Sequence, residues 1–180
     1  ARRGARVTMT LPPAGSSPYR VSMVCLGNIC RSPMAAAVLT ARLADEGLDG
    51  LVEVDSGGTG SWHIGEQADP RARSVLKQHG YDAEAHRARQ VGAAWFADHD
   101  LLLAMDHDNA RTLRRLAPDT DSAGRVVLLR SFDPDASTDD QHVPDPYYGD
   151  ERDFVEGLAI IERSVDGLVD ALRAHLVADG

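Results

Sequence analysis

Two kinds of hydrophobic pattern alternate along the chain. Short, almost fully apolar runs are typical of strands buried on both faces of a sheet, and they span residues 19–25, 51–56, 100–105 and 125–130. Apolar residues at three- and four-residue spacing predict helices over residues 32–46, 69–79, 91–98, 106–116 and, through Phe154 to Leu176, near the C-terminus. This alternation predicts an α/β fold, a single domain with a four-stranded parallel sheet and helices on both faces.

Domain organisation follows from length and from the N-terminal composition. A chain of 180 residues fits one domain. Residues 1–18 are rich in Pro, Gly, Ser and Arg, so we expect a disordered N-terminal arm followed by one domain over 19–180. The arm has no apolar segment of the secretory type, and two cysteines are too few for a disulfide scaffold. The expected location is therefore cytoplasmic.

Charge and hydropathy narrow the classes of partner. The chain has 19 basic and 28 acidic residues, for a net charge of −9. A broad basic face for nucleic acid is not expected, and no apolar run reaches the length of a membrane span. Any anionic ligand would have to be bound by local geometry against a repulsive overall field.

Both cysteines lie in one stretch, VCLGNICRSPMAAAVL, at positions 25 and 30. They could form a metal clip or a redox pair, be two small buried side chains, or include a nucleophile beside an anion site. The histidines show no metal-ligand spacing, so we predict neither a metal nor a cofactor.

The residues around Cys25 favour the nucleophile. Cys25 ends the first strand, Gly27 and Asn28 form a turn, and Ser32-Pro33 is a helix-start signal with Ser32 as N-cap. Such a turn directs backbone N–H groups at one point, where the helix dipole adds positive potential. The Arg31 guanidinium matches two phosphate oxygens. These donors favour a thiolate at Cys25, as covalent phosphoryl transfer requires.

The partner of such a nucleophile is predicted in the long loop 131–150. Its six aspartates are candidates for a general acid that protonates the leaving group and then activates water. Asp145 stands out because Pro144 and Pro146 stiffen both sides of it. Tyr147 and Tyr148 follow directly, which is typical of a wall for a flat ligand.

Five motifs appear in order: CLGNICRSP, DSGGTGSWHIGEQADPRA, HRARQ, MDHDN and DPYYG. Together they resemble the low-molecular-weight protein tyrosine phosphatase family over about residues 19–177, and the Arg-rich, Lys-poor composition is typical of a GC-rich bacterial source. The resemblance implies hydrolysis of phosphotyrosine in proteins through a cysteinyl phosphate. The implied ligands of the loop are phosphotyrosine proteins and inorganic phosphate, sulfate or vanadate, with no metal or cofactor.

The resemblance also implies roles for individual residues. The catalytic group comprises Cys25 as nucleophile, Arg31 as phosphate clamp and Asp145 as general acid. The phosphate loop and its support comprise Leu26, Gly27, Asn28, Ile29, Cys30, Ser32, Ser56 and His86, with Asp106 as a further support. The substrate walls are Trp62, Tyr147 and Tyr148, although Trp62 in its Gly-rich loop could also be packed on the core. Cys30 is implied to be a redox partner that traps an oxidised Cys25 as a disulfide.

Three other functions share part of this residue pattern. A thioredoxin-coupled arsenate reductase shares the C-x5-R loop but needs further downstream cysteines, which the sequence lacks. A phosphoarginine phosphatase carries Thr where Ile29 stands, and a branched apolar side chain there would crowd a guanidinium. A catalytically inactive phosphate-binding module would lack Cys25 or Asp145, and both are present.

Overall fold

The computed structural model describes residues 10–177. Its centre is a four-stranded parallel sheet with the order β2-β1-β3-β4. The strands are β1 (Tyr19–Cys25), β2 (Val52–Gly58), β3 (Leu101–Ala104) and β4 (Val126–Leu128). Strand β1 is central, pairing Cys25 with Gly58 of β2 and Val24 with Ala104 of β3. The carboxyl ends of these three strands therefore meet at one edge of the sheet.

Six α-helices cover the two faces of this sheet within the described residues. They are α1 (Arg31–Asp45), α2 (Pro70–Gln78), α3 (Trp95–Asp98), α4 (His107–Leu116), α5 (Thr120–Ala123) and α6 (Glu151–Val177), and a 3₁₀ turn spans Leu129–Phe132. Helices α1, α2 and α6 pack together on one face, while α3 and α4 cover the other and α5 contacts α4. The predicted α/β architecture with helices on both faces is confirmed.

The alternating direction of strand side chains builds two cores. Met23 and Leu103 point into the core beneath α1 and α6, whereas Val24 and Leu102 point into the core beneath α4. All four are fully buried. Each such side chain contributes about 1.5–3 kcal/mol of transfer free energy, which is why these strands are apolar on both faces.

Several element boundaries differ from the sequence-based ranges. Helix α3 covers only Trp95–Asp98, the end of the predicted 91–98 segment, and β4 gives way at Leu129 to the 3₁₀ turn. Ser32 is not the N-cap of α1, because the helix begins at Arg31 and Cys30 occupies the cap position without a side-chain bond. The Ser32 hydroxyl instead contacts Cys25 and Asn28.

The segment before β1 is packed where the structure describes it, at residues 10–18. Leu11 is buried in the core, the Tyr19 hydroxyl donates to the Pro12 carbonyl, and the Gly15 N–H donates to the Asp100 carboxylate. This packing differs from the disordered arm expected for residues 1–18, because an apolar contact and two hydrogen bonds offset the entropy of ordering. The remainder of that predicted arm, residues 1–9, lies outside the described residues.

Candidate active site

The loop after β1 folds back over its own first residue. The Cys25 sulfur accepts a hydrogen bond from the Asn28 N–H at 3.2 Å and lies 3.0 Å from the Ser32 hydroxyl. Gly58, at the end of β2, packs so closely that an added Cβ would lie 2.7 Å from the Leu26 carbonyl oxygen. The loop is therefore held between the strand ends and the first turn of α1, at the edge where parallel sheets bind ligands.

Asn28 is the residue that gives this loop its shape. Its φ of 56° makes it the one non-glycine residue with positive φ among residues 10–177. Asn enters this left-handed region more readily than most residues, but the surroundings must still support it. Its side-chain amide donates to the hydroxyls of Ser32 and Ser56, at 2.8 and 2.9 Å. Its side-chain oxygen accepts the Arg89 N–H at 2.9 Å.

His86 completes the set of contacts to Asn28. Its Nε2 lies 2.6 Å from the Asn28 carbonyl oxygen and must carry the proton, since a carbonyl can only accept. Burial lowers the pKa of His86 below its usual value, and this outweighs the hydrogen bond that favours the cation. The structure thus brings together the predicted trio of Asn28, Ser56 and His86. Sequence reasoning missed Arg89, whose contact is made by its backbone.

Arg31 is a buried cation that lines the same cavity as Cys25. Its guanidinium donates to the Asp106 carboxylate at 2.6 Å and to the Val143 carbonyl at 3.1 Å, and lies 3.7 Å from the Asp145 carboxylate. Burial alone would lower the pKa of Arg31, but the negative charges of Cys25, Asp106 and Asp145 raise it overall. Asp106 also caps α4 by accepting the Asn109 N–H. One aspartate thereby positions both the arginine and the helix.

Two backbone hydrogen bonds of Val143, two residues before Asp145, hold this part of the loop against the site. The buried Val143 donates its N–H to the Met105 carbonyl at 2.8 Å, while its own carbonyl accepts from Arg31. The Asp145 carboxylate is 42% exposed and accepts the Tyr147 N–H at 3.1 Å. It is therefore fixed near Arg31 while remaining open to solvent and to a substrate.

A cavity of about 390 Å³ lies above the loop. The residues lining it come from the phosphate loop, the loop after β2 and the aspartate loop: Cys25, Leu26, Gly27, Ile29, Cys30, Arg31, Trp62, His63, Asp145, Tyr147 and Tyr148. Trp62 is 70% exposed, which excludes its alternative role as an anchor packed on the core. Tyr148 is 95% exposed, so the rings of Trp62 and Tyr148 are both available as walls of the cavity. His63 also lines the cavity, although no role was predicted for it from the sequence.

Cys30 lies in the same cavity but in a different environment. Burial raises the pKa of its thiol, and the charges of Asp69, Cys25 and Asp145 raise it further against the opposing effect of Arg71. Cys30 is therefore held as a neutral thiol. Both cysteines are free and buried.

Sequence reasoning missed Arg71 as a link between two parts of the site. Its guanidinium pairs with Asp69, whose N–H bonds to the Ile29 carbonyl, and it also donates to the carbonyls of Tyr147 and Gly149 at 2.9 and 3.0 Å. The Arg71 guanidinium lies 4.6 Å from the centre of the Phe154 ring. Its position in the DPRA motif, two residues after the N-cap Asp69, was the available signal.

Over residues 10–177, no group of three or more His, Cys, Asp or Glu side chains is arranged to bind a metal ion. Within the same part of the chain, no helix combines the length and apolar character needed to cross a membrane.

Comparison with known proteins places this site in a family. Residues 20–178 match the model of the low molecular weight phosphotyrosine protein phosphatase family. A low molecular weight protein-tyrosine-phosphatase of Streptomyces coelicolor is 54% identical over 88% of this chain and 96% of its own length. Low molecular weight protein-tyrosine phosphatase A of Mycobacterium tuberculosis is 48% identical over 92% of this chain and 98% of its own.

Solved structures agree with the sequence relatives. A protein tyrosine phosphatase from Entamoeba histolytica superposes with a TM-score of 0.81 at 36% identity, covering 86% of this chain and 97% of that one. Vibrio vulnificus Wzb in complex with benzylphosphonate gives a TM-score of 0.73 at 28% identity, covering 85% and 98%. On its fold, its loop geometry and these relatives, the chain belongs to the low molecular weight phosphotyrosine protein phosphatase family.

Proposed function

We propose that this protein-tyrosine phosphatase hydrolyses phosphotyrosine in proteins through a cysteinyl phosphate on Cys25, with Asp145 as general acid and base. The observation that carries the proposal is the convergence of three groups on one cavity. The Cys25 sulfur accepts donors from its own loop, Arg31 is buried beside it, and Asp145 stands at the mouth. Nucleophile, electrostatic clamp and proton donor are the parts that this two-step reaction requires.

In the first step, the Cys25 thiolate attacks phosphorus and an S–P bond forms. The bond between phosphorus and the phenolic oxygen breaks, and Asp145 transfers its proton to that oxygen so that the product leaves as a neutral phenol. Arg31 and the loop N–H groups stabilise the equatorial phosphoryl oxygens as charge spreads over them. Asp106 and Val143 restrict the orientation of Arg31 in this step.

In the second step, water displaces the cysteine. Asp145, now ionised, takes a proton from the attacking water, an O–P bond forms and the S–P bond breaks. Inorganic phosphate and the Cys25 thiolate are the products. The Ser32 hydroxyl, 3.0 Å from the sulfur, can donate to the departing thiolate while the Asn28 N–H stabilises it from the other side.

The walls of the cavity support an aryl substrate. Trp62 and Tyr148 are exposed rings, and Tyr147 packs edge-on against Tyr148 at 4.9 Å between ring centres. Such a slot favours a flat phenyl group over a branched or strongly hydrated one. The solved relative Wzb binds benzylphosphonate, which has a phenyl ring and a phosphonate. We expect inorganic phosphate, sulfate and vanadate to occupy the same loop as competitive anions.

Peroxide regulation is the second part of the proposal. Oxidation of the Cys25 thiolate by peroxide gives a sulfenic acid, which the Cys30 thiol attacks with loss of water to form a disulfide. Both cysteines line the same cavity, which supports their encounter. The cycle needs reduced thiols at rest, so the proposed location is a reducing compartment such as the cytoplasm.

Substitution of Asp145 tests the proton-transfer assignment. Asp145→Ala should slow aryl phosphates with poor leaving groups by roughly 10²–10⁴-fold, the usual range for general acid catalysis. Those with good leaving groups should lose much less, because their oxygen needs no proton to depart. The measurement is kcat/KM across a series of substituted phenyl phosphates in EDTA. A loss independent of leaving-group pKa would refute the assignment.

Two comparisons complete that experiment. Cys25→Ser should abolish turnover while retaining orthovanadate or phosphate binding, which separates loss of the nucleophile from loss of the anion site. Phosphoserine and phosphoarginine peptides should be poor substrates beside a phosphotyrosine peptide. Faster turnover of phosphoarginine would replace the proposed function with that of a phosphoarginine phosphatase.

Substitution of Cys30 tests the redox proposal. Wild type and Cys30→Ser should lose activity equally on peroxide treatment, but only wild type should recover most of it when a thiol is added. Without Cys30, the sulfenic acid at Cys25 proceeds to irreversible oxidation states. Equal recovery of the two proteins would exclude a protective disulfide.

A further inference from the structure

One basic surface lies outside the catalytic cavity. It is formed on α4 by His107, Arg111, Arg114 and Arg115, which surround a shallow depression of about 350 Å³. All four side chains are exposed. In a chain with a net charge of −9, such a concentration of cationic groups on one helix face is unusual. We call it the α4 basic face.

The α4 basic face begins at the rim of the active site. Asp106, the N-cap of α4, binds the Arg31 guanidinium. The adjacent His107 ring lies 4.7 Å from the ring of His142, in the loop that carries Asp145. With a rise of 1.5 Å per residue, Arg111 lies about 6 Å and Arg115 about 12 Å further along the helix than His107. The face therefore leads directly away from the catalytic groups.

The charges of this face are available to a partner. Most arginines in residues 10–177 pair with a carboxylate, but Arg114 and Arg115 take part in no ion pair among those residues. Arg111 pairs only with Asp108 three residues away, and both are exposed, so that pair is screened and weak. Arg114 makes a 3.4 Å contact to the Val126 carbonyl, leaving most of its donors free.

We propose that the α4 basic face is a docking surface for an acidic segment that flanks the phosphotyrosine of a protein substrate. The proposal rests on the phosphotyrosine activity proposed above. An extended peptide advances about 3.3 Å per residue, so carboxylates three to five positions from the phosphotyrosine reach about 10–17 Å. Arg111 and Arg115, about 6 and 12 Å along α4 from His107 at the rim of the site, lie at distances of the same order. The rest of the protein carries a net negative charge and repels an acidic segment. We therefore expect such a segment to approach the site along the α4 basic face.

The experiment compares two phosphotyrosine peptides that differ only in flanking charge. One carries Glu three to five residues from the phosphotyrosine on both sides, and the other carries Gln at the same positions. The readout is the ratio of their kcat/KM values at low ionic strength. For wild type, we expect the acidic peptide to be preferred about tenfold, a preference that fades as salt screens the charges.

Arg115→Glu is the main variant, and Lys77→Glu is its matched control. Both substitutions reverse one exposed charge in the last turn of a helix, α4 and α2 respectively. Arg115→Glu should lower the peptide ratio about three- to tenfold without changing hydrolysis of p-nitrophenyl phosphate. Arg115→Gln, which introduces no anion at the helix end, should have an intermediate effect. Lys77→Glu should leave the ratio near that of wild type.

Four outcomes would overturn the proposal. An equal change of the peptide ratio in Arg115→Glu and Lys77→Glu would show that only net charge matters. The absence of any preference of wild type for the acidic peptide would show that the face binds no acidic flank. Loss of binding to phosphatidylserine vesicles in Arg115→Glu, with an unchanged peptide ratio, would assign the face to a membrane surface. Hydrolysis of p-nitrophenyl phosphate but of neither peptide would instead refute the proposed phosphotyrosine activity, and the docking proposal with it.

Discussion

At the scale of single residues, Asn28 combines backbone and side-chain constraints in one position. Its positive φ turns the loop so that its own N–H faces the Cys25 sulfur, and its side chain bonds to Ser32, Ser56 and the Arg89 backbone. Three separate segments thereby maintain one strained turn. Such strain persists only where the surroundings over-determine it.

Replacement of Asn28 by alanine should therefore lower kcat strongly, although the side chain that it removes is small. Ala loses the three side-chain bonds and enters the left-handed region at a cost of about 1–2 kcal/mol. We expect Asn28→Ala to lower kcat on aryl phosphates by roughly 10²-fold and the free energy of unfolding by about 2–4 kcal/mol.

Ser56→Ala is the matched control for that variant, because it removes one bond to the Asn28 amide without changing the turn itself. It should cost no more than about tenfold in kcat. The measurements are steady-state kinetics and urea unfolding. If Asn28→Ala and Ser56→Ala had the same kcat, the hydrogen bonds of the Asn28 side chain would not serve to maintain the positive φ of that residue.

At the scale of secondary-structure elements, the site depends on contacts between segments far apart in sequence. Asp133, whose side chain is fully buried, binds Arg130 and Arg163 and so ties the start of the aspartate loop to α6. Burial tends to raise the pKa of Asp133, but its hydrogen bonds to the Asp135 N–H and to both arginines lower it overall. Arg71 performs a similar task at the other end of the loop, through the carbonyls of Tyr147 and Gly149.

Arg71→Met should loosen the aromatic wall while keeping an apolar stem of similar length. We expect kcat/KM for aryl phosphates to fall about tenfold, because Tyr147 loses its charge-assisted anchor. The loss should be smaller for acetyl phosphate, which has no ring to be held by the wall.

Arg73→Met serves as the control, since Arg73 lies on the same helix but pairs with the exposed Glu84. The ratio of aryl to acetyl phosphate turnover reports the wall even if Arg71→Met also lowers stability by leaving Asp69 unpaired. An unchanged ratio would show that Arg71 is purely structural.

At the scale of the whole molecule, residues 10–18 belong to the fold. Leu11 is 3% exposed and packs in the core that contains Tyr19. The segment thereby contacts the start of β1 and the residue before β3, at the opposite end of the strands from the catalytic loop.

Leu11→Ala should lower the free energy of unfolding by about 2 kcal/mol, the low end of the range for buried leucines, because a terminal segment can partly collapse into the space. Leu51→Ala, at a 40% exposed position, should change it by less than about 0.5 kcal/mol. Urea unfolding of both variants provides the comparison, and kcat should be the same in each. A Leu11→Ala protein as stable as wild type would show that the segment adds nothing to the fold.

The strands and long helices could be predicted because their signals are local. Strand β1 has the predicted bounds, and α4 differs from its predicted range by one residue. The short α3 and α5 were misjudged or missed, since helices of one turn depend on tertiary contacts more than on propensity. The packing of residues 10–18 was missed for a related reason, because one leucine among Pro, Gly and Ser gives no periodic signal.

The sequence by itself determined the order of strands and helices, and it identified Cys25, Arg31 and Asp145 as a group by residue type and motif. These features follow from the period of the hydrophobic residues and from the short spacings within motifs. Only the tertiary structure decided how they meet: that Ser32 contacts a sulfur rather than capping a helix, that Arg71 joins two loops, and that the α4 basic face begins beside the site. Some contacts of the site join residues more than a hundred positions apart, as Arg31 and Val143 do. No local pattern records which distant partner a polar side chain will find.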